Sequence, residues 1–292
     1  MVEEERGNMA YSDSHVHLNS YPQNKLQSIF NEMEAKQVEL VLNMGVTLEN
    51  FEETAKIAKM HKGVLLAVGM HPARAIPLTT EVKKHIEEVS TKPGVVAFGE
   101  IGVEYHGPNG HPTPRPKIEI QKELFLYQIS LARNAHLPVD IHYSMDAQDY
   151  IIDTLRSDKS HSLVGIAHGF QGTLKDLQSW LDIGFYISIG AESLGIWKTI
   201  KKAPPVSNEI MQAIPADRLL SETDSMFFGG TQYNLSATEL DKMRQSFEVK
   251  FGVRQPADVV KVVEKIAAMR EVSTTEIGDI TTHNLKRLLK IS

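Results

Sequence analysis

Six side chains able to hold a divalent ion or move a proton lie along this chain at the ends of apolar runs: His15, His17, Glu100, His142, His168 and Asp224. The first two stand in Asp13-Ser14-His15-Val16-His17-Leu18. Alternate side chains of a strand share a face, so the two imidazoles point the same way, about 6.6 Å apart along the chain. Two neutral imidazoles so placed can share one zinc-like ion. Taken alone, the pair also fits an ordinary strand end with buried, hydrogen-bonded histidines. Four histidines and two carboxylates exceed what one tetrahedral ion needs, since a catalytic zinc takes three protein ligands. Two ions sharing a bridging carboxylate use the set more fully. Paired ions about 3.5–4 Å apart serve the hydrolysis of phosphodiesters or amides by activating water.

Such a set must be gathered by a scaffold, and the chain alternates strand-like and helix-like stretches from end to end. Strands are expected at Tyr11 to Leu18, Val38 to Val46, Val64 to Met70, Val95 to Val103, Leu137 to His142, Leu163 to His168, Phe185 to Ile189 and Arg218 to Asp224. Helical spacing of apolar residues predicts helices at Asn24 to Lys36, Glu49 to His61, Glu81 to Val89, Ile118 to Asn134, Asp146 to Leu155, Leu174 to Leu181 and Asn208 to Ala213. Near the end, Asp258 to Met269 and Thr282 to Leu289 read as helices. Eight strands alternating with helices predict a parallel sheet closed as a (β/α)8 TIM barrel. An open doubly wound sheet is the competitor, but no Gly-x-Gly-x-x-Gly follows the first strand. In such a barrel the carboxyl ends of the strands build the active site, where all six residues fall. Two stretches break the pattern: a proline-rich loop from His106 to Lys117, and an enlarged insertion from Ser225 to Pro256 with a candidate helix at Ala237 to Phe251.

Composition narrows the function classes. The 292 residues are 41% hydrophobic and 23% charged, with net charge −6, so no basic envelope for duplex nucleic acid is present. There is no cysteine, which rules out disulfides, thiolate metal sites and cysteine nucleophiles. The acidic start from Met1 to Ala10 lacks the apolar core of a signal peptide and reads as a disordered extension ahead of one domain spanning 11–292. No apolar run approaches the roughly 18 residues of a membrane helix, so a cytoplasmic, non-membrane protein is the expectation.

At the six positions the sequence resembles the TatD family of metal-dependent deoxyribonucleases, within the amidohydrolase superfamily. The matching stretches are Asp13-Ser14-His15-Val16-His17-Leu18, Gly69-Met70-His71-Pro72, Gly99-Glu100-Ile101-Gly102-Val103-Glu104-Tyr105, Pro138-Val139-Asp140-Ile141-His142, Gly165-Ile166-Ala167-His168-Gly169-Phe170 and Leu219-Leu220-Ser221-Glu222-Thr223-Asp224. They follow the family's order over nearly the whole chain, and Thr281 to Leu288 resembles its closing helix. The resemblance implies two divalent ions (magnesium, manganese or zinc), one held by His15, His17, Glu100 and Asp224. The other would be held by Glu100, His142 and His168, with Glu100 bridging and Asp224 orienting or deprotonating the attacking water. His71 would contact substrate or support a ligand, and single-stranded or end-on DNA would be the substrate.

The departures concern the phosphate grip. A basic Pro-His-Arg-Gly-type stretch usually follows the final Thr-Asp; here Ser225-Met226-Phe227-Phe228-Gly229-Gly230 stands instead. Val253-Arg254-Gln255-Pro256-Ala257 resembles the end of that stretch, displaced by the insertion, which makes Arg254 a candidate phosphate ligand if the chain folds back. The arginine usual after the strand-five histidine is replaced by Tyr143-Ser144-Met145. An ester, amide or lactone hydrolase with the same centre is therefore the alternative reading, and a non-catalytic metal-binding barrel a further one. His61, His85, His136 and His161 fall in or beside predicted helices and read as solvated, and His106 and His111 lie in the proline-rich loop. Lys198, Lys201 and Lys202 form a short basic run after strand seven, either a solvated face or a contact to a nucleic-acid backbone.

Overall fold

In the computed structural model, the described residues are 10–105, 116–157, 163–197, 205–225 and 254–291, together with Thr238 and Lys242. Eight parallel strands pair in chain order: β1 Tyr11–Val16, β2 Val38–Asn43, β3 Val64–Val68, β4 Val95–Val103, β5 Val139–Tyr143, β6 Gly165–Ala167, β7 Tyr186–Gly190 and β8 Leu219–Glu222. The first and last strands meet just beyond β8. Val16 bridges Ser225, Asp224 N donates to His15 O at 3.0 Å, and His17 N donates to Ser225 O at 2.6 Å. The result is the expected (β/α)8 TIM barrel.

Alternation along each strand divides two apolar layers. Val41, Leu66, Phe98, Ile141, Ile187 and Leu219 face outward and pack under the helices, all of them buried. Leu42, Met44, Ala67, Ala97, Ile166 and Leu220 fill the barrel interior, where Leu285, Leu288 and Leu289 of the final helix plug its lower end. Fully burying each leucine, isoleucine or methionine among them contributes about 1.5–3 kcal/mol, and together they make the floor a packed core and not a channel.

The outer helices are α1 Gln23–Ala35, α2 Phe51–Ala58, α3 Thr80–Ser90, α4 Ile118–Asn134, α5 Gln148–Arg156, α6 Leu174–Asp182 and α7 Asn208–Ala213. Two more follow, α8 Val259–Arg270 and α9 Thr274–Leu289. These expected strands and helices are each present, mostly trimmed by a few residues at their ends. Helix α9 departs most, starting eight residues before the expected Thr282. Its first turns, Thr274-Thr275-Glu276-Ile277-Gly278-Asp279, are polar, contain glycine and lie ahead of the stretch whose spacing predicts a helix. Ser273 Oγ accepts from Glu276 N and caps the helix. Gly278 lets the helix pack closely on β1, because a Cβ there would meet the Tyr11 ring at 3.1 Å, tighter than ordinary contact.

The proline-rich loop, the 198–202 lysine run, His161 and the first nine residues lie outside the described residues. So does nearly all of the insertion; Thr238 and Lys242, within the helix expected at 237–251, are helical. Among the described residues no helix is long and apolar enough to cross a membrane. His61 is less solvated than expected: its ring stacks on Phe30 with centroids 5.2 Å apart, and Nδ1 accepts from Gly63 N at 3.1 Å.

Candidate metal centre

The barrel brings His15, His17, Glu100, His142, His168 and Asp224 to its carboxyl end, although their positions span more than two hundred residues. His15 lies in β1, Glu100 in β4 and His142 in β5, while His168 directly follows β6. Close backbone packing makes this convergence possible. A Cβ on Gly102 would fall 1.8 Å from His142 O, and one on Gly99 would fall 2.7 Å from Asp140 Cβ. Only glycine lets β4 and β5 approach this closely beside Glu100.

Four donor atoms form the tightest group. His15 Nε2 and His17 Nε2 are 3.2 Å apart. Asp224 Oδ1 stands 3.8 Å from the first and 3.3 Å from the second, and Glu100 Oε2 stands 3.7 and 3.6 Å from them. Zinc-like bonds of about 2.0–2.2 Å at tetrahedral angles leave neighbouring ligand atoms about 3.4 Å apart, which is the spacing here. The donor chemistry fits too. His15 Nδ1 faces Asp140 Oδ1 at 3.0 Å, so the proton resides on Nδ1 and the Nε2 lone pair faces the group. Asp224 Oδ1 is buried without a hydrogen-bond partner among the described residues. An atom of that kind costs several kcal/mol unless a cation meets it.

Glu100 presents its other oxygen to a second group of histidines. Oε1 is 2.6 Å from His142 Nδ1, 3.4 Å from His71 Nε2 and 3.8 Å from His168 Nε2. Of the expected second set, Glu100 and His142 come together closely. His168 stands further off, its ring centroid 6.3 Å from that of His142 and stacked at 3.6 Å on His15. His71 instead completes the compact cluster with Glu100 and His142. It is buried, and its Nδ1 accepts from Ala73 N at 3.0 Å. Burial lowers its pKa despite Glu100, so His71 is neutral with its proton on Nε2. That tautomer makes it a donor toward Glu100 or a substrate oxygen, rather than a ligand.

Electrostatics say what the site demands. Burial would push Glu100 up, but His71 and His142 hold it well below the usual carboxylate range. Burial also opposes charge on His15, yet Asp140 and Glu100 raise it well above the ordinary imidazole value. His142 is likewise lifted to about 9 by Glu100 and Glu104 against the effect of burial. Asp224 is held low, against burial, by His17, His168 and His15. The acids thus require positive charge at this spot, as protons on imidazoles or as cations. Arg254 is the one buried Lys or Arg among the described residues, and it stacks at 4.4 Å on Trp197. Burial lowers its pKa, and the field of Glu192 and Asp224 offsets part of that lowering. Where Met226, Phe227 and Phe228 stand is outside the described residues.

Three acids behind the donors had no role assigned from sequence. Asp140 fixes His15 as described, and Glu222 Oε1 stands 2.9 Å from His168 Nδ1. Asp13 Oδ1 accepts from Thr223 N at 3.0 Å and from His15 N at 3.2 Å, and its Oδ2 lies 2.5 Å from Thr223 Oγ1. Asp13 thereby ties β1 to the turn holding Asp224, whose φ of 55° lies in the left-handed region that aspartate tolerates. Each acid precedes a donor by two residues, at 13 and 15, 140 and 142, 222 and 224, so strand alternation points it into the barrel one layer lower. That spacing was the available signal.

Two expected results follow from these supports. Asp140→Asn should leave the fold intact but weaken metal affinity roughly 10–100-fold, read by competition with a chelating dye. Burial pushes Asp13 from 3.8 to about 8, against the lowering pull of Thr223 and His15. A raised folded-state pKa favours the fold below the unfolded value and loses that advantage as pH rises through the folded one. The melting temperature of wild type should therefore fall relative to Asp13→Asn between about pH 4 and pH 8, then run parallel to it.

Comparison with known proteins agrees with the geometry. The family model for TatD related DNase matches residues 12–290. An uncharacterized metal-dependent hydrolase, YabD of Bacillus subtilis, is 31% identical over 281 residues, 96% of this chain and 99% of the relative. A 3'-5' ssDNA/RNA exonuclease, TatD of a Rahnella species, is 27% identical over 253 residues, covering 86% of this chain and 87% of the relative. Among solved structures, YJJV, a TatD homolog from Escherichia coli, superposes with a TM-score of 0.75 at 20% identity over 98% of this chain and 100% of that one. With its barrel, its ordered motifs and a family match along nearly its whole length, the chain belongs to the TatD-related family of metal-dependent hydrolases.

Proposed function

We propose that this chain is a two-metal phosphodiesterase that hydrolyses single-stranded DNA, working from an end. The observation that carries the reading is the division of Glu100: Oε2 faces His15 and His17 within 3.7 Å, while Oε1 faces His142 and His71 within 3.4 Å. A carboxylate so shared is suited to bridge two ions, with His15, His17 and Asp224 completing one side and His142 and His168 the other. When bound, such a pair activates water and neutralises charge on the phosphoryl oxygens.

The protein's own groups have distinct tasks in this reading. Asp224, ionised at neutral pH and held by Asp13 through the 223–225 turn, is placed to take the proton of the attacking water. His71 offers its Nε2 proton to Glu100 or to a phosphate oxygen. Asp140 and Glu222 keep the lone pairs of His15 and His168 turned to the centre. Arg254, buried and backed by Trp197, supplies the cation for the substrate phosphate that the absent basic stretch would otherwise provide. The name of the Rahnella relative supports the choice of single-stranded nucleic acid.

An ester, amide or lactone hydrolase is the second reading, favoured by the lack of a basic residue directly after Asp224. Comparison of Arg254→Gln with wild type separates the two. For a phosphodiesterase the substitution should raise KM for a DNA oligonucleotide roughly tenfold or more, because charge-assisted hydrogen bonds to phosphate are about 1.5–3 kcal/mol each. Turnover of neutral esters by wild type, without cleavage of any phosphodiester, would support the second reading instead.

A further inference from the structure

Between β3 and the turn at 72–74, the buried Met70 has left the sheet, yet both of its backbone polar groups are bonded to one side chain. Gln128, fully buried on α4, accepts from Met70 N through Oε1 at 2.7 Å and donates from Nε2 to Met70 O at 3.1 Å. An amide 58 positions away thus pairs Met70 as a neighbouring strand would. Its orientation is fixed by chemistry, because a backbone N–H only donates and a carbonyl only accepts. Among the described residues, the side-chain hydrogen bonds of Gln128 go to Met70 alone.

The consequence falls on the next residue. A peptide bond is planar, and the unit joining Met70 to His71 is held at both edges. Gln128 Nε2 takes its carbonyl, and Val46 O accepts from its N–H at 3.1 Å. His71 is extended, with φ −59° and ψ 142°, as the residue ahead of a proline prefers to be. Its ring is then fixed by Ala73 N, which donates to Nδ1 at 3.0 Å. Backbone plane and ring together bring Nε2 to 3.4 Å from Glu100 Oε1 and the ring centroid to 4.2 Å from that of His142. Groups acting at a reacting centre must be held to within about 0.5 Å.

We propose that Gln128 is a positioning residue for the reaction, setting the place of His71 through the backbone of Met70. The proposal rests on the phosphodiesterase reading, in which His71 offers its Nε2 proton at the reacting centre, and it names what holds that donor in place. Gln128 itself touches neither a metal donor nor the reacting atoms.

A double-mutant cycle with His71→Ala tests it, on hydrolysis of bis(4-nitrophenyl) phosphate by metal-loaded protein, at a temperature where circular dichroism shows each variant folded. Gln128→Leu should lower kcat about tenfold with metal content unchanged, since a shift of about 1 Å can cost up to about 10²-fold. In the His71→Ala background the same substitution should change kcat by less than about twofold, because no ring remains to be misplaced. Gln128→Glu serves if the leucine variant does not fold. Its protonated carboxyl can keep both bonds to Met70, and its ionised form loses the one to Met70 O. Its kcat relative to wild type should therefore fall as pH rises, and only while His71 is present. A second readout needs no substrate: in metal-free protein with 15N-labelled histidine, the His71 ring signals should shift in the Gln128 variant. Losses that multiply independently in the cycle, or unmoved His71 signals, would overturn the proposal. Failure of the nuclease reading looks different: wild type would cleave no phosphodiester, while displaced His71 signals would still support the positioning role.

Discussion

Glu100→Gln is expected to reduce hydrolysis by roughly 10³-fold or more while the barrel stays folded. Removal of a single donor to a developing charge costs about 10²–10³, and Glu100 does more than that. Its two oxygens face both groups of histidines, so the amide takes charge from both at once. On the proposed two-metal reading, metal content, measured by mass spectrometry after gel filtration, should fall from two ions per chain in wild type to one or none in the variant. The fold should survive because the substitution keeps the shape and Glu100 N still donates to Gly45 O at 2.9 Å. A variant that keeps two tight ions and near-wild-type turnover would mean that the bridging role is misassigned.

The second large effect concerns Asp224. Asp224→Asn should lower kcat by roughly 10²–10⁴, the range for loss of a positioned base, with a smaller change in KM. The local backbone should persist, since asparagine also tolerates the left-handed region and the bond from residue 224 N to His15 O remains. The pH profile gives the sign. Neighbouring histidines outweigh burial and hold Asp224 below its ordinary 3.8, so it is ionised throughout the neutral range. An acid limb from Asp224 should therefore appear only below about pH 4 in wild type and should vanish in the variant. Equal loss of metal and of activity would make Asp224 chiefly a ligand; loss of kcat with metal retained would make it chiefly the base.

What the sequence discloses here follows from period two. His15 and His17 share a face because they are two apart, and the apolar runs before Glu100, His142, His168 and Asp224 mark strands whose ends converge in a barrel. Architecture and convergence were therefore legible. The supporting acids were in plain view at the same spacing, but an acid inside a strand carries no label until a neighbouring strand is placed. Asp140 acts on His15, 125 positions away, and not on His142 beside it. His71 was legible only as a residue near the site. Its tautomer depends on Ala73 N, a backbone contact of a short turn that no spacing encodes. The early start of α9 was hidden because Gly278 reads as a helix breaker until Tyr11 is seen against it.

Arg254 illustrates the limit from the other side. Thirty positions separate it from Asp224, and sequence supplied only the condition that the chain fold back. The structure brings it onto Trp197 within the field of Asp224 and Glu192. The aromatic contact is the part of its setting that no spacing in the sequence encodes.

The most direct test of the central claim is hydrolysis of end-labelled single-stranded DNA by protein stripped of metal and then given magnesium, manganese or zinc. Stepwise release of nucleotides from an end, restored by at least one ion and abolished in Glu100→Gln, is the predicted result. No cleavage with any of the ions, from a protein that binds two of them and hydrolyses a carboxylic ester or lactone, would contradict it.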